Sequence, residues 1–229
     1  MVKIYADGAD LDEMHQMARN KLIRGFTTNP SLMRKAGVKN YEAFAHRALH
    51  SFPDYPISFE VFADDIPHME VQAREIASWG ENIYVKIPVM NTQGISCANL
   101  ITDLANDGIK LNVTAILCHK QIDEVMDALT ETPAIISIFA GRIADTGRDP
   151  KGMILHALQR KLVTAHEVLW ASPRQVLDVY TADSLGCDVI TITKDILGKL
   201  KLEGKNLIEY SRETVAMFHN DAKAAGYSI

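Results

Sequence analysis

Short β-branched apolar runs alternate with longer amphipathic ones from one end of the chain to the other, and this alternation constrains the fold most. The strand candidates are Lys3–Ala6, Ile23–Thr27, Ile57–Phe62, Ile83–Ile87, Leu111–Ile116, Ala134–Phe139, Glu167–Ala171 and Asp188–Ile192. Each holds four to six residues rich in Ile, Val, Thr, Tyr or Phe, the types that fit a pleated surface. Several are apolar throughout, as parallel strands buried on both faces are. Between them, Asp65–Trp79 repeats Ile66, Met69, Ala73, Ile76 and Ala77 near a 3.6-residue period, and Gly80 follows. His119–Thr130 carries Ile122, Val125, Met126 and Leu129 on one stripe. Asp149-Pro150 opens a run of Met153, Leu155, Leu158 and Leu162 that reads as a capped helix. Pro173–Leu185 and Asn206–Ala225 are also predicted helical.

Eight alternations in 229 residues give about 29 residues per unit, close to the ~30 of a β-α step. The expected fold is therefore α/β: a single (β/α)8 barrel of the TIM type, formed by residues 1–229 as one domain. An open doubly wound sheet is the alternative, but neither G-x-G-x-x-G nor G-x-x-x-x-G-K-[ST] occurs. The stretch 206–229 exceeds what the eighth unit needs, so an extra C-terminal helix is expected, covering the barrel or docked on a neighbouring subunit.

Charge narrows the partners. Lys and Arg number 24, Asp and Glu 29, so the net charge is −5 and gives no reason to expect nucleic acid or an anionic membrane. No apolar run approaches the roughly 18 residues of a membrane span. Met1–Asp7 is too short in its apolar stretch for a secretion signal. Cys97, Cys118 and Cys187 are odd in number and far apart, which fits reduced thiols and a cytoplasmic location.

In barrels of this kind, chemistry sits where strands end and the following loops begin. Polar residues in or just after the strands are Asp7, Thr27-Thr28-Asn29-Pro30-Ser31, Glu60, Lys86, Asn112, Thr114, Ser137, Arg142, Ser172 and Arg174. Lys86 is the most informative. It lies inside Ile83-Tyr84-Val85-Lys86-Ile87-Pro88, and burying an ammonium there is expensive. One escape is loss of the proton, which makes the amine a nucleophile for Schiff-base chemistry. At an ordinary pKa of ~10.4, only about one lysine in a thousand is neutral near pH 7. The alternative is a lysine that reaches outward or pairs with Glu60 as a structural ion pair.

Schiff-base chemistry also needs acid/base groups, and Asp7 and Glu60 are the carboxylates on other strands. Asp7 before Gly8 also fits a turn or helix cap, and Thr114, which could hold a water, also fits plain strand propensity. Arg142 and Arg174 follow consecutive strands and suit a phosphate, with Ser172 as an added donor, unless they pair with acids such as Asp145 or Asp178. His46 and His50 stand four apart without a third ligand and read as a solvated face, so no metal is expected.

Taken in order, Asp7, Thr27-Thr28-Asn29-Pro30-Ser31-Leu32, Val85-Lys86-Ile87-Pro88, Asn112-Val113-Thr114, Phe139-Ala140-Gly141-Arg142-Ile143 and Ala171-Ser172 resemble the transaldolase family. The length resembles its small-subunit branch, which includes the fructose-6-phosphate aldolases. The resemblance implies a barrel without metal or organic cofactor. It gives Lys86 the Schiff base with a ketose phosphate, Asp7 the acid/base role in C–C cleavage, and Glu60 and Thr114 the catalytic water. It places Asn29 and Ser137 on substrate hydroxyls, and Arg142 and Ser172 on phosphate. Thr28 and Asn112, at the same strand ends, complete the expected substrate-facing set. It further implies rings, commonly pentamers or decamers, and work on sugar phosphates as in the pentose phosphate pathway.

Within that branch, Glu60 and Phe139 resemble the transaldolases, where the aldolases carry Gln and Tyr. Transfer of a dihydroxyacetone unit is thus expected, with aldolase-type release as the alternative and a non-catalytic sugar-phosphate-binding barrel as the third reading. The sequence departs from the family pattern at Ile138, at Trp170 and in the short Ala171-Ser172-Pro173-Arg174 loop, which leaves open whether Arg174 reaches a phosphate.

Overall fold

A computed structural model describes residues 1–228 except Leu162 and Thr164. The chain divides into two compact units, 1–197 and 198–229.

The first unit contains a closed barrel of eight parallel strands in sequence order: β1 Lys3–Asp7, β2 Ile23–Thr27, β3 Ile57–Glu60, β4 Ile83–Pro88, β5 Leu111–Ile116, β6 Ala134–Ile138, β7 His166–Trp170 and β8 Val189–Ile192. Closure runs through the β1–β8 register, Lys3↔Val189 to Ala6↔Ile192. The expected (β/α)8 fold is the observed one. Strand ends move by one or two residues. β3 stops at Glu60 instead of Phe62, because the amides of Phe62 and Ala63 donate to the Gln72 side-chain oxygen, 2.8 Å each.

Helices follow the strands: α1 Leu11–Ala18, α2 Pro30–Lys35, α3 Tyr41–Ser51, α4 Ile66–Ser78, α5 Ala98–Asn106, α6 His119–Ala128, α7 Ala140–Asp145, α8 Lys151–Arg160 and α9 Leu177–Ser184, with α10 Lys194–Lys199 after β8. Side-chain caps set several starts. Asp10, Asn29, Asn40 and Asp65 each accept an amide three residues on. Pro30 and Ile66-Pro67 place a proline in the first turn, where no amide is needed. The helix expected from Pro173 begins only at Leu177, since Asp178 accepts the amides of Arg174 and Gln175 and holds them in a loop. Leu162, counted in the apolar stripe of α8, lies outside the described residues.

The second unit contains a short 3₁₀ turn, Leu200–Leu202, and α11, Leu207–Ala224, whose N-cap Asn206 accepts the amides of Ile208 and Glu209. The helix expected over Asn206–Ala225 matches it.

Strand alternation divides the barrel into two faces. Residues pointing out, such as Phe26, Phe59, Val85 and Val113, pack against the helices; Phe26 meets Phe52 and Tyr55 at ring distances of 4.7 and 5.5 Å. Inward residues form layers. The lower one holds Tyr5, Tyr84, Ile135 and Val189, and its apolar cluster continues upward through Leu169 to Ala171 and Phe139 at the strand ends. The rest of the upper layer is polar.

Gly25 makes room for this lower layer. A Cβ there would stand 2.7–2.8 Å from the Tyr5 ring. Alanine would gain strand propensity but must displace a packed aromatic ring, and the second effect is larger. Gly25→Ala is expected to destabilise by about 1–3 kcal/mol in urea unfolding.

Candidate active site

The upper layer of the barrel interior is built from Asp7, Thr27, Glu60, Lys86, Asn112, Thr114, Ser137 and Thr191, all at inward positions of their strands. Lys86 is 7% exposed. Its Nζ donates to the Thr28 carbonyl at 3.1 Å and lies 3.2 Å from Glu60 Oε2. Lys86 and Glu60 are neighbours in the β3–β4 register, so the ion pair follows from the ladder. Both readings of Lys86 thus meet in one residue: it is buried, and it is paired.

Asp7 ends β1 beside this pair. Thr27 donates its hydroxyl to Asp7 Oδ1 at 2.9 Å and bonds Thr191 on β8. Burial pushes the Asp7 carboxyl above the usual carboxylate range, more than the Lys86 charge and the Thr27 hydrogen bond pull it down; the charge on Glu60 adds to the rise. A carboxyl held this way favours taking and holding a proton.

A polar chain runs along the far wall. Ser137 Oγ donates to Asn112 Oδ1 at 2.7 Å, and Asn112 Nδ2 donates to Ser58 Oγ at 2.9 Å. Thr28 is fully buried and donates its hydroxyl to the Ser58 carbonyl at 2.8 Å. Thr114, 1% exposed, has no hydrogen-bond partner for Oγ1 among the described residues, although its side chain lines the central cavity. A buried hydroxyl of this kind calls for a partner that is not protein.

That cavity measures about 50 Å³ and is lined by Asp7, Asn29, Lys86, Thr114, Ser137, Phe139 and Ser172 among others. It has room for a few waters at roughly 10–15 Å³ each. At Asp7 it adjoins a second cavity of about 640 Å³, walled by Leu32, Lys35 and Lys194.

Among the described residues, two non-glycine residues adopt left-handed backbone, Ser172 in the cavity wall at φ 57° and Ala115, next to Thr114, at φ 62°. Such conformations cost on the order of 1–3 kcal/mol and collect at functional positions. At Ala115, β5 carries one extra residue between the Val113↔Ile136 and Ile116↔Ile138 pairs. Alternation from Asn112 already turns Thr114 inward, and the extra residue lets Ile116 face the helices again. Ser172 is bent back so that its carbonyl would lie 1.5 Å from any Cβ on Gly141, so only glycine fits at the start of α7.

The two arginines separate. Arg142 is exposed, with its guanidinium carbon 5.5 Å from the Phe139 ring centre. Arg174 is bound through Nε and Nη2 to both oxygens of Asp145, Nε at 3.2 Å. The expected alternative, an arginine committed to Asp145, describes Arg174. His46, expected on a solvated face, is exposed and 3.7 Å from Glu42.

Of the expected residues, Asp7, Asn29, Lys86, Thr114, Ser137, Phe139 and Ser172 share the cavity wall, and Glu60, Thr28 and Asn112 contact those that do. Thr27, named among the polar strand-end residues, also lines the cavity, and Thr191 does so without having been expected, because threonine in a strand reads as ordinary propensity.

A family model described as transaldolase/fructose-6-phosphate aldolase matches residues 4–229. A probable transaldolase of Methanococcus maripaludis strain C5 is 36% identical over 203 residues, covering 87% of this chain and 89% of its own. One from Roseiflexus castenholzii is 36% identical over 200 residues, covering 86% and 88%. One from Dehalococcoides mccartyi is 30% identical over 198 residues, covering 86% and 88%. Among solved structures, 3-hexulose-6-phosphate synthase of Salmonella typhimurium superposes with a TM-score of 0.59 at 14% identity, covering 86% of this chain and 90% of that one. At that identity the likeness is one of fold.

Asp7 makes stability depend on pH in a defined direction. With its folded pKa raised, the folded state holds the proton more tightly than the unfolded chain, whose Asp titrates near ~3.9. Stability is full below that pH and falls as pH rises through the raised value. Asp7→Asn, which cannot ionise, is therefore expected to melt higher than the parent at pH 7–8, with the advantage vanishing near pH 4 in thermal unfolding.

Proposed function

The chain belongs to the transaldolase/fructose-6-phosphate aldolase family, and we propose that it transfers a dihydroxyacetone unit from a ketose phosphate, such as fructose 6-phosphate or sedoheptulose 7-phosphate, to an aldose phosphate. The carrying observation is one buried lysine amine facing a cavity that also holds Asp7 and the unpartnered Thr114 hydroxyl.

In this reading, Lys86 Nζ attacks the C2 carbonyl of the ketose, and the carbinolamine loses water to give an iminium ion. Asp7 takes the C4 hydroxyl proton as the C3–C4 bond breaks. The bond's electrons move into the iminium, leaving an enamine of dihydroxyacetone and a free aldehyde. The enamine then attacks the acceptor aldehyde, Asp7 returns its proton to the new alkoxide, and water releases the product ketose and Lys86. Glu60 and Thr114 would hold that water, with Thr114 Oγ1 as the otherwise unbonded partner. Asn29, Thr28, Asn112 and Ser137 would position the three-carbon hydroxyls, directly or through the chain that ends at Ser58. No cofactor enters this sequence.

For the phosphate, the geometry supports Arg142 and Ser172 over Arg174, whose guanidinium already has a carboxylate. Transfer is favoured over release by Glu60 and Phe139. A phenyl ring beside the cavity offers no hydroxyl to help water attack the imine, so the three-carbon unit waits for an acceptor. We also propose a homo-oligomer: α11 has no buried residue, and Ile208, Val215 and Phe218 lie on one of its faces.

Borohydride added with fructose 6-phosphate should fix a three-carbon adduct on Lys86, read by peptide mass spectrometry. Lys86→Ala should lose turnover by at least about 10³-fold. Active protein with no adduct on Lys86 would sink the mechanism. In a coupled assay, product should appear only when erythrose 4-phosphate is present; free dihydroxyacetone without acceptor would move the reading to the aldolase. Phe139→Tyr is expected to increase that release severalfold.

A further inference from the structure

Glu60 stands at the point where the barrel's hydrogen-bond ladder has a gap. In β3, residues 57 and 61 turn their amides toward β4: Ile57 N–H donates to the Asn82 carbonyl and Val61 N–H to the Lys86 carbonyl. Residues 56, 58 and 60 therefore face β2. Pro56 and Ser58 find partners there, accepting from the amides of Phe26 and Thr28 at 2.9 and 3.2 Å. Glu60 does not, because the chain leaves the sheet at Asn29-Pro30 to begin α2.

The Tyr41 hydroxyl occupies the empty place. It accepts from the Glu60 amide and donates to the Glu60 carbonyl, 2.8 Å in each case. One phenol thus does the work of a missing strand residue, satisfying both backbone groups that would otherwise be orphaned. The ring is held from several sides, with Phe62, Trp79 and Phe59 at 5.5, 6.0 and 6.1 Å between centres. Burial pushes the phenol's pKa up, so it keeps the proton it donates.

We propose that Tyr41 is a positioning residue for the reaction: by fixing the Glu60 peptide it holds the Glu60 carboxylate on Lys86 and toward the water beside Thr114. The role rests on the reading of Lys86 and Glu60 given above. Tyr41 lies 19 positions from Glu60 and does not line the central cavity. Its action is therefore indirect.

Tyr41→Phe removes only the hydroxyl and keeps the ring contacts. It is expected to lower kcat about tenfold, inside the roughly 10²-fold that a misplaced group costs, with KM changed less than about twofold. In combination with Glu60→Gln it should cause no loss beyond Glu60→Gln alone. Wild-type kcat in Tyr41→Phe, or losses that multiply in the double variant, would overturn the proposal. If Lys86 forms no adduct in active protein, the functional reading falls by itself and thermal unfolding answers for Tyr41. The coupling between Glu60 and Lys86, from Glu60→Gln, Lys86→Met and the pair, should shrink in the Tyr41→Phe background. Unchanged coupling there would count against Tyr41 whatever the reaction is.

Discussion

An amine kept inside a barrel is the constraint around which the rest of the mouth is arranged. Lys86 cannot sit buried in the inner wall unless something answers for its ammonium. Glu60 supplies the charge and the Thr28 carbonyl the hydrogen bond. Each answer creates a further need. Glu60 must be held in place at a strand end without a neighbour, and Thr28 must lie where β2 turns away. The burial that keeps Lys86 close to Asp7 also raises the cost of ionising Asp7. The site is therefore a set of mutually dependent compromises among buried polar groups.

The backbone makes the same trade. Ala115 and Ser172 could both be relieved by a more permissive residue or another turn, yet both hold left-handed geometry, Ser172 in the cavity wall and Ala115 beside Thr114. The bulge at Ala115 lets one strand serve two faces, and the bend at Ser172 brings the end of β7 against the first turn of α7 at Gly141.

Much of this is legible in the sequence, for a physical reason. A polar residue inside a run of apolar strand residues is expensive, so Asp7, Glu60, Lys86, Asn112 and Ser137 stand out against their neighbours, and period-two alternation assigns them one face. The order of strands follows from alternation alone. What stays hidden has equally specific causes. Thr191 is a good strand former and blends into β8. Tyr41 opens a helix and meets Glu60 only through the fold. Ala115 carries no glycine to announce a bulge. The short helices α1, α2, α5 and α7 run only six to nine residues, too few for a helical period to emerge from noise.

The Arg174–Asp145 pair reaches beyond the loop that contains it. By holding Arg174 against a carboxylate, it leaves a molecule of net charge −5 with less positive field near the mouth to draw an anion from a distance. Beyond a Debye length of ~8 Å at physiological salt, such an anion feels mainly the repulsion of the whole protein, weakened by the surrounding ions. Encounter with an anion is then a matter of diffusion followed by contact, where Arg142 and Lys35 carry positive charge beside the cavities. Ionic strength, which slows the capture of anions by proteins that pull them in, works here to lower the barrier to approach.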